Sequence, residues 1–577
     1  MTDKTFELAR AEAVKYGLRA ELVLEEDLPS FEIRCRRGEL VIAAPDSLEL
    51  LYGLYDAAER FGGWSFFEPG RDRFDEKRIV APPEGVPVPA KKPLLKRRGF
   101  IQEFPFDDET QDLFDWMAKN KLNYLLVWMK YYDELSDELK AYARIRGIVI
   151  ESGHHNFNYW IPGEKYAKTH PEFFAEIGGK RISPSIGKRE LLLSEQLCTT
   201  NPELRKEIVR NMLAYCEKHP EVKVISLIPN DGFGWCECEN CSRFYDKSKK
   251  GDFYSISEHV YKADRIYHDL LRDVSAQLRR ARPDIALSFC AYSNYGSPSP
   301  GFRLEKGMMV HVAPYWRCIN HAIDDPDCPF DAPYAEDIRR WAAVKNGGEI
   351  NIYEYYMGVN FYLMLPMIHF REMFREMAWY EKTGVDGILT QFHVSHWSVY
   401  GMNYCLMARA ARGEEETSAI DTLFATLFGP EAEEAKAFYS QIKSLLKNMG
   451  RCHIPYPRSL FRRTTAADFR ELEKAARDLA AKAPQDRFRA DLVIWTQYMT
   501  RFKELFDKAQ AKRLTESELQ TFLDWIGSFK DTRVFVPKRI GMYFEALRED
   551  LRTGREWIHF NLDWEDAYIR RHDQLLG

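Results

Sequence analysis

At 577 residues the chain is too long for one ordinary core, and two or three domains are expected. Hydrophobic residues at 45% and charged residues at 29% exclude a disordered chain, and a net charge of -6 gives no basic footprint for nucleic acid. No run of about 18 apolar residues occurs, so no membrane-spanning helix is expected.

The opening Met1-Thr2-Asp3-Lys4-Thr5 has no apolar signal core. The 11 cysteines are scattered over predicted strands and helices, as in a reducing compartment, and a cytoplasmic location is expected. The first unit, residues 1–92, reads as a small α/β domain. Phe31 to Cys35 alternates apolar and polar as a half-buried strand does, Arg37-Gly38 marks a turn, and Leu40 to Ala43 follows as a second strand. Ser47 is the expected N-cap of a helix carrying Leu48, Leu50, Leu51, Leu54, Tyr55 and Ala58, with Gly62-Gly63 as its stop. Proline-rich residues 81–93 read as a linker.

Residues 93–412 alternate strand and helix. The strand candidates are 99–102, 122–128, 145–150, 222–230, 285–289, 308–312, 349–354 and 387–390. Helical patterns lie between most of them, over 110–119, 202–218 and 258–282 among others. Eight apolar strands alternating with helices predict a (β/α)₈ TIM barrel, an α/β fold. An open doubly wound sheet is the competing architecture, but no Gly-rich fingerprint follows a strand. After Gly413 the strands cease; 431–447, 466–483, 487–509, 517–530 and 536–552 read as amphipathic helices of a C-terminal region, 413–577, which packs on the barrel or forms an oligomer surface.

Active sites of such barrels lie at the C-terminal strand ends. Here those ends give Glu103; Trp128; Glu151 with His154, His155 and Asn156; Asn230-Asp231; Tyr292, Ser293 and Asn294; Tyr315, Trp316, Arg317, Asn320 and His321; Tyr353-Glu354-Tyr355; and Gln391, His393, His396 and Trp397. Aromatic and polar residues at every end suit a sugar cleft, although the 14% aromatic content equally serves large cores. Two acids near aromatics are what glycosidic cleavage needs, one to protonate the leaving oxygen and one to attack or stabilise the sugar cation. By analogy with retaining glycosidases, Asp231 and Glu354, on the fourth and seventh strands, are the preferred acid/base and nucleophile, with Glu103 and Glu151 in reserve. The structural alternatives are an Asn-Asp-Gly turn for Asp231 and a salt-bridged rim for Glu354. In a second mechanism an N-acetyl carbonyl of the substrate attacks while the acids orient it.

The expected substrate contacts are His154, His155, Asn230, Trp235, Tyr292, Tyr315, Trp316, His321, Tyr353, Tyr355, His393 and Trp397. Cys236, Cys238 and Cys241, three thiols in six residues, suit a structural Zn²⁺ that would pin the loop carrying Asp231, with Cys328 or Cys198 as fourth ligand. Three free thiols are the alternative. No catalytic cofactor is expected.

The stretch Ser226 to Gly232 running into Trp235-Cys236-Glu237-Cys238-Glu239-Asn240-Cys241 resembles a bacterial family of unknown function, parts of which are classed as glycoside hydrolase family 163, endo-β-N-acetylglucosaminidases. Tyr52 to Tyr55 with Gly63 to Phe67 resembles the small domain preceding the barrel in β-hexosaminidases and α-glucuronidases. Arg317 to Pro329 and Tyr353 to Tyr356 are similar to the same pattern. The resemblance implies a retaining glycosidase with acids at Asp231 and Glu354. The expected function is therefore retaining hydrolysis of an N-acetylhexosamine-containing oligosaccharide, imported rather than attached to a glycoprotein. The alternatives are a uronic-acid glycosidase, with Arg317 or Arg98 meeting a carboxylate, and a non-catalytic carbohydrate-binding protein. No nucleic-acid or membrane partner is expected; a homo-oligomer is compatible.

Overall fold

The structure, a computed structural model, describes residues 3–182, 196–232, 234–245, 262–358, 362–448, 457–461 and 463–537, with five further positions up to 548. At its centre eight parallel strands close into a barrel. They are β1 (Arg97–Gln102), β2 (Tyr124–Trp128), β3 (Val149–Gly153), β4 (Val224–Ser226), β5 (Ala286–Ala291), β6 (Met308–Val312), β7 (Glu349–Glu354) and β8 (Gly387–Gln391). β8 pairs with β1, Leu389 opposite Gly99, which shuts the ring. A Cβ at Gly99 would fall 1.6 Å from the Tyr124 carbonyl oxygen, so the β1–β2 approach requires glycine.

Side chains alternate between the lumen and the helices. The lumen takes Tyr124, Glu151, Ser288 and His311. Glu151 accepts from the Tyr124 hydroxyl at 2.6 Å and from Ser288, with His311 Nε2 at 3.0 Å. Burial opposes the Glu151 charge, but His311 and the hydroxyl donors outweigh it and hold the carboxyl below its ordinary value. The outer face takes apolar residues: Phe100 stacks on Phe392 and on Trp116, and Trp116 meets Trp397 edge-on at 4.6 Å.

The third strand begins later than its apolar run suggests. Ile145 caps the helix Asp137–Arg144, and Gly147 at φ 74° turns the chain before Val149 enters the sheet. At the N-terminus a four-stranded sheet carries the helix Ser47–Arg60. Its N-cap is Asp46, whose side chain accepts from the amides of Leu48 and Glu49, rather than Ser47. Within the proline-rich stretch Val88–Pro89 adds a short strand to that sheet.

The C-terminal helices include Ala432–Asn448, Ala466–Lys482, Arg487–Gln510 and Glu516–Gly527; the expected helix over 536–552 lies largely outside the described residues, as do positions 258–261 before Asp264–Ala281. The helix Arg487–Gln510 lies on the barrel: Trp495 Nε1 donates to the Met364 carbonyl at 2.8 Å and Tyr498 to the Leu363 carbonyl at 2.9 Å. Arg533 reaches the first two units, bonding the Pro69 carbonyl and Glu109. No described helix is long and apolar enough to cross a membrane.

Candidate active site

Four strand ends converge on one carboxylate at the C-terminal mouth of the barrel. Glu103, just past β1, accepts from the Tyr353 hydroxyl at 2.8 Å and from Gln391 Nε2 at 2.5 Å, and His154 Nε2 lies 3.2 Å away. The Glu103 side chain keeps 14% exposure, enough to meet a ligand. His154 holds a left-handed backbone at φ 73°, unusual outside glycine, and its ring stacks on Trp128 at 4.1 Å. Burial pushes the His154 imidazole below its ordinary value, against the pull of Glu103, so it is neutral at pH 7. Burial and Glu103 together raise the Tyr353 hydroxyl far above its usual range, leaving it a donor.

Beside this carboxylate six aromatic side chains form a closed ring, which Glu103 meets through His154 and Tyr353. His154 meets Tyr353 at 5.8 Å between centroids, Tyr353 meets Tyr355 at 5.2 Å, and Tyr355 meets Tyr315 at 5.2 Å. Tyr315 meets Tyr292 at 5.9 Å, Tyr292 meets His155 at 6.2 Å, and His155 returns to His154 at 4.8 Å. Trp316 is buried parallel to Tyr292 and backs the ring from behind. Flat apolar faces with hydroxyl and imidazole edges suit a sugar ring.

Asp231 is half-buried on the turn after β4 and acts electrostatically on His154, Tyr292 and Tyr295, which places it beside the ring. The turn is held from below. Asn230 Oδ1 accepts from the Asn158 backbone amide and Asn230 Nδ2 donates to Asn158 Oδ1, and Gln196 Nε2 donates to the carbonyls of Asn230 and Gly232 at 2.7 and 2.9 Å. Asn230 therefore builds the turn. Trp235 is buried under it against Tyr267 and Tyr295. His393 stands at the rim, its Nδ1 accepting from the Ser395 amide and its ring against Phe104.

Several expected site residues lie elsewhere. Glu354 shares strand parity with Ile350 and Ile352 and faces the helices, opposite Tyr353. It is 0% exposed, ion-paired to Arg317 and bonded to the Tyr355 amide at 2.9 Å. Arg317 in turn pairs with Glu376 of the helix Phe370–Thr383. Burial, aided by the Glu376 charge, outweighs Arg317 and raises the Glu354 carboxyl. In the structure Glu354, the expected nucleophile, is thus a buried wall carboxylate paired with Arg317. Trp397 is buried between barrel and N-terminal domain, donating to the Phe67 carbonyl at 2.7 Å. His321 sits in the loop after β6 with its Nδ1 3.3 Å from Cys318 Sγ. Arg98 spends its guanidinium on the carbonyls of Leu95, Lys96 and Lys121, so neither arginine offered for a uronate faces the mouth. Glu151 lies in the core below.

The cysteines separate into two groups. Cys198 joins Cys236, Cys238 and Cys241, all four buried with their sulfurs within 4.8 Å of one another. Cys328, expected there, instead lies with Cys318 and His321 after β6. Glu103, Gln391 and Trp128 carry more of the mouth than expected; β1 parity, with Gly99, Ile101 and Glu103 on one side, is the signal that points to the first.

Solved structures resemble this fold at low identity. A family 89 glycoside hydrolase from Clostridium perfringens, in complex with GlcNAc-alpha-1,4-galactose, aligns with a TM-score of 0.59 at 12% identity, over 99% of this chain and 73% of that one. The same organism's family 89 enzyme with PUGNAc gives 0.57 at 12%, over 99% and 74%. A family 115 4-O-methyl-alpha-glucuronidase gives 0.48 at 14%, over 93% and 70%. None of these likenesses bears on family 163. No curated protein matches the sequence. Residues 84–441, more than half of the chain, match the family described as a domain of unknown function, DUF4838, and the chain belongs to that family.

Proposed function

We propose that the protein is a retaining glycoside hydrolase acting on an N-acetylhexosamine-containing oligosaccharide, with Asp231 and Glu103 as its two mouth carboxylates. The observation that carries this reading is the closed ring of six aromatic side chains, which Glu103 meets at His154 and Tyr353, with Asp231 beside it. In this reading Asp231, half-buried on its turn, protonates the leaving oxygen. In the same reading Glu103, held by Tyr353, Gln391 and His154, either attacks the anomeric carbon or orients a substrate acetamide whose carbonyl attacks. The fold shared with a family 89 enzyme that binds GlcNAc-alpha-1,4-galactose is consistent with an N-acetylhexosamine.

The test is hydrolysis of aryl glycosides of GlcNAc, GalNAc, glucuronic acid, xylose and glucose, followed by oligosaccharide digestion. The expected result is turnover of an N-acetylhexosaminide with retained anomeric configuration. Glu103→Gln and Asp231→Asn should each lower kcat by about 10²–10⁴-fold. Turnover untouched by both substitutions, or none on any aryl glycoside or oligosaccharide, overturns the proposal.

A further inference from the structure

Two segments distant in sequence bring four thiols together under the Asp231 turn. Cys198 precedes the helix Pro202–Lys218, whose N-cap is Asn201, and Cys236, Cys238 and Cys241 follow Trp235 into the short helix Glu239–Ser242. Cys198 Sγ lies 3.7 Å from Cys238 Sγ and 3.9 Å from Cys241 Sγ. Zn²⁺ holds thiolates at about 2.3 Å in a tetrahedron, which places neighbouring sulfurs about 3.8 Å apart. A disulfide needs about 2.05 Å and would use only two of the four.

The surroundings fit a charged tetrathiolate. The Glu176 amide donates to Cys236 Sγ at 3.3 Å, and the Arg181 guanidinium lies 3.6 Å from the same sulfur. The Thr200 hydroxyl is 3.1 Å from Cys241 Sγ. Such N–H and O–H donors and a nearby cation are what an anionic Zn(Cys)₄ centre needs in its outer shell.

The geometry points to a structural Zn²⁺ site formed by Cys198, Cys236, Cys238 and Cys241. Binding releases the thiol protons to solvent and leaves four thiolates on the ion, with no change of oxidation state. The ion would tie the turn to the scaffold. The Glu237 amide donates to the Glu176 carbonyl at 2.7 Å and the Gly178 amide to the Glu237 carboxylate at 2.8 Å. Gln196, two residues before Cys198, grips Asn230 and Gly232. Metal occupancy would therefore set the order of the segment bearing Asp231, whatever that carboxylate does.

Full-length protein purified without chelator should carry a zinc equivalent, by elemental analysis, that Cys198→Ser and Cys238→Ser each lose. Because either variant could misfold, wild type grown with Co²⁺ supplies a second reading. It should show the intense visible ligand-field bands of tetrahedral cobalt and a thiolate-to-cobalt charge-transfer band. Chelation under denaturant-free conditions should raise hydrogen exchange over residues 230–242. Metal content unchanged by both substitutions, an octahedral cobalt spectrum, or a mass two hydrogens light from a Cys198–Cys238 disulfide overturns the site. None of these readings depends on glycosidase activity.

Discussion

Arg317 stands between two fully buried carboxylates, Glu354 and Glu376, and Glu376 also receives the Tyr356 hydroxyl at 2.7 Å and the Ile323 amide at 2.9 Å. Burial opposes the Glu376 charge, but Arg317 and His369 more than offset it and hold that carboxyl far below its ordinary value. The network joins the loop after β6, the end of β7 and the helix Phe370–Thr383. Arg317→Met leaves both carboxylates without their cation and should cost about 3–5 kcal/mol in urea unfolding. Glu354→Gln keeps a polar partner for Arg317, and turnover of whatever substrate Glu103→Gln abolishes should stay within about tenfold of wild type. A loss of turnover equal to that of Glu103→Gln, in a variant of undiminished stability, would return Glu354 to the chemistry. The sequence already held the clue to this difference. Ile350, Ile352 and Glu354 share one parity, and two apolar residues on that side mark it as the helix-facing one, whereas Asn351 and Tyr353 point to the lumen. Strand-end position alone ranks Glu354 and Tyr353 together; alternation separates them. The closed aromatic ring was not legible, because it depends on which loops meet.

The loop after β7 shows how elements cooperate. Leu363 and Met364 adopt consecutive left-handed backbones, at φ 54° and 55°, each a strain of about 1–3 kcal/mol for a side chain of this size. Their carbonyls accept from Tyr498 and Trp495, three residues apart on one face of the helix Arg487–Gln510, and the Tyr400 hydroxyl donates to the Leu365 carbonyl at 2.9 Å. Tyr498→Phe would leave the buried Leu363 carbonyl unpaired at a cost of about 1–3 kcal/mol. It should speed hydrogen exchange over residues 362–368 while leaving the N-terminal sheet unchanged. Equal exchange in both proteins would mean that the helix does not brace the loop. Helical periodicity placed 487–509 correctly to within a residue, and 110–119 and 202–218 as observed, because amphipathic spacing is local. What those helices grip is set by contacts across more than a hundred residues, which no local pattern encodes. For the same reason Cys198 and Cys328 were equal candidates for the fourth thiol.

At the scale of the molecule the closed barrel was readable from eight strand–helix alternations, since a parallel sheet of that length buries both faces most simply by closing. Its stability should carry a pH signature from one latch. His268, on the helix Asp264–Ala281, is enclosed by Phe289 of β5, Phe302 and Trp341, with Phe302 stacked at 4.3 Å. Its Nδ1 accepts from the Ser299 amide at 3.0 Å, which fixes the neutral ring with its proton on Nε2. Burial, with a smaller push from Arg272, lowers the imidazole to about 3. The unfolded chain protonates near 6.5, so it binds more protons than the native state at any pH between these values. The contribution is therefore complete above about pH 6.5 and declines as pH falls, being spent by about pH 3. At pH 5 the native ring is still neutral, so the loss relative to pH 7 is set by the unfolded value alone, about 2 kcal/mol. His268→Gln retains an acceptor for the Ser299 amide without the titration. It should be less stable than wild type at pH 7, and urea unfolding at pH 5 should find that gap narrowed by about 2 kcal/mol. A gap that stays constant between the two pH values would show that His268 takes up a proton in the folded state as readily as in the unfolded chain, and that these four elements do not exclude the charge.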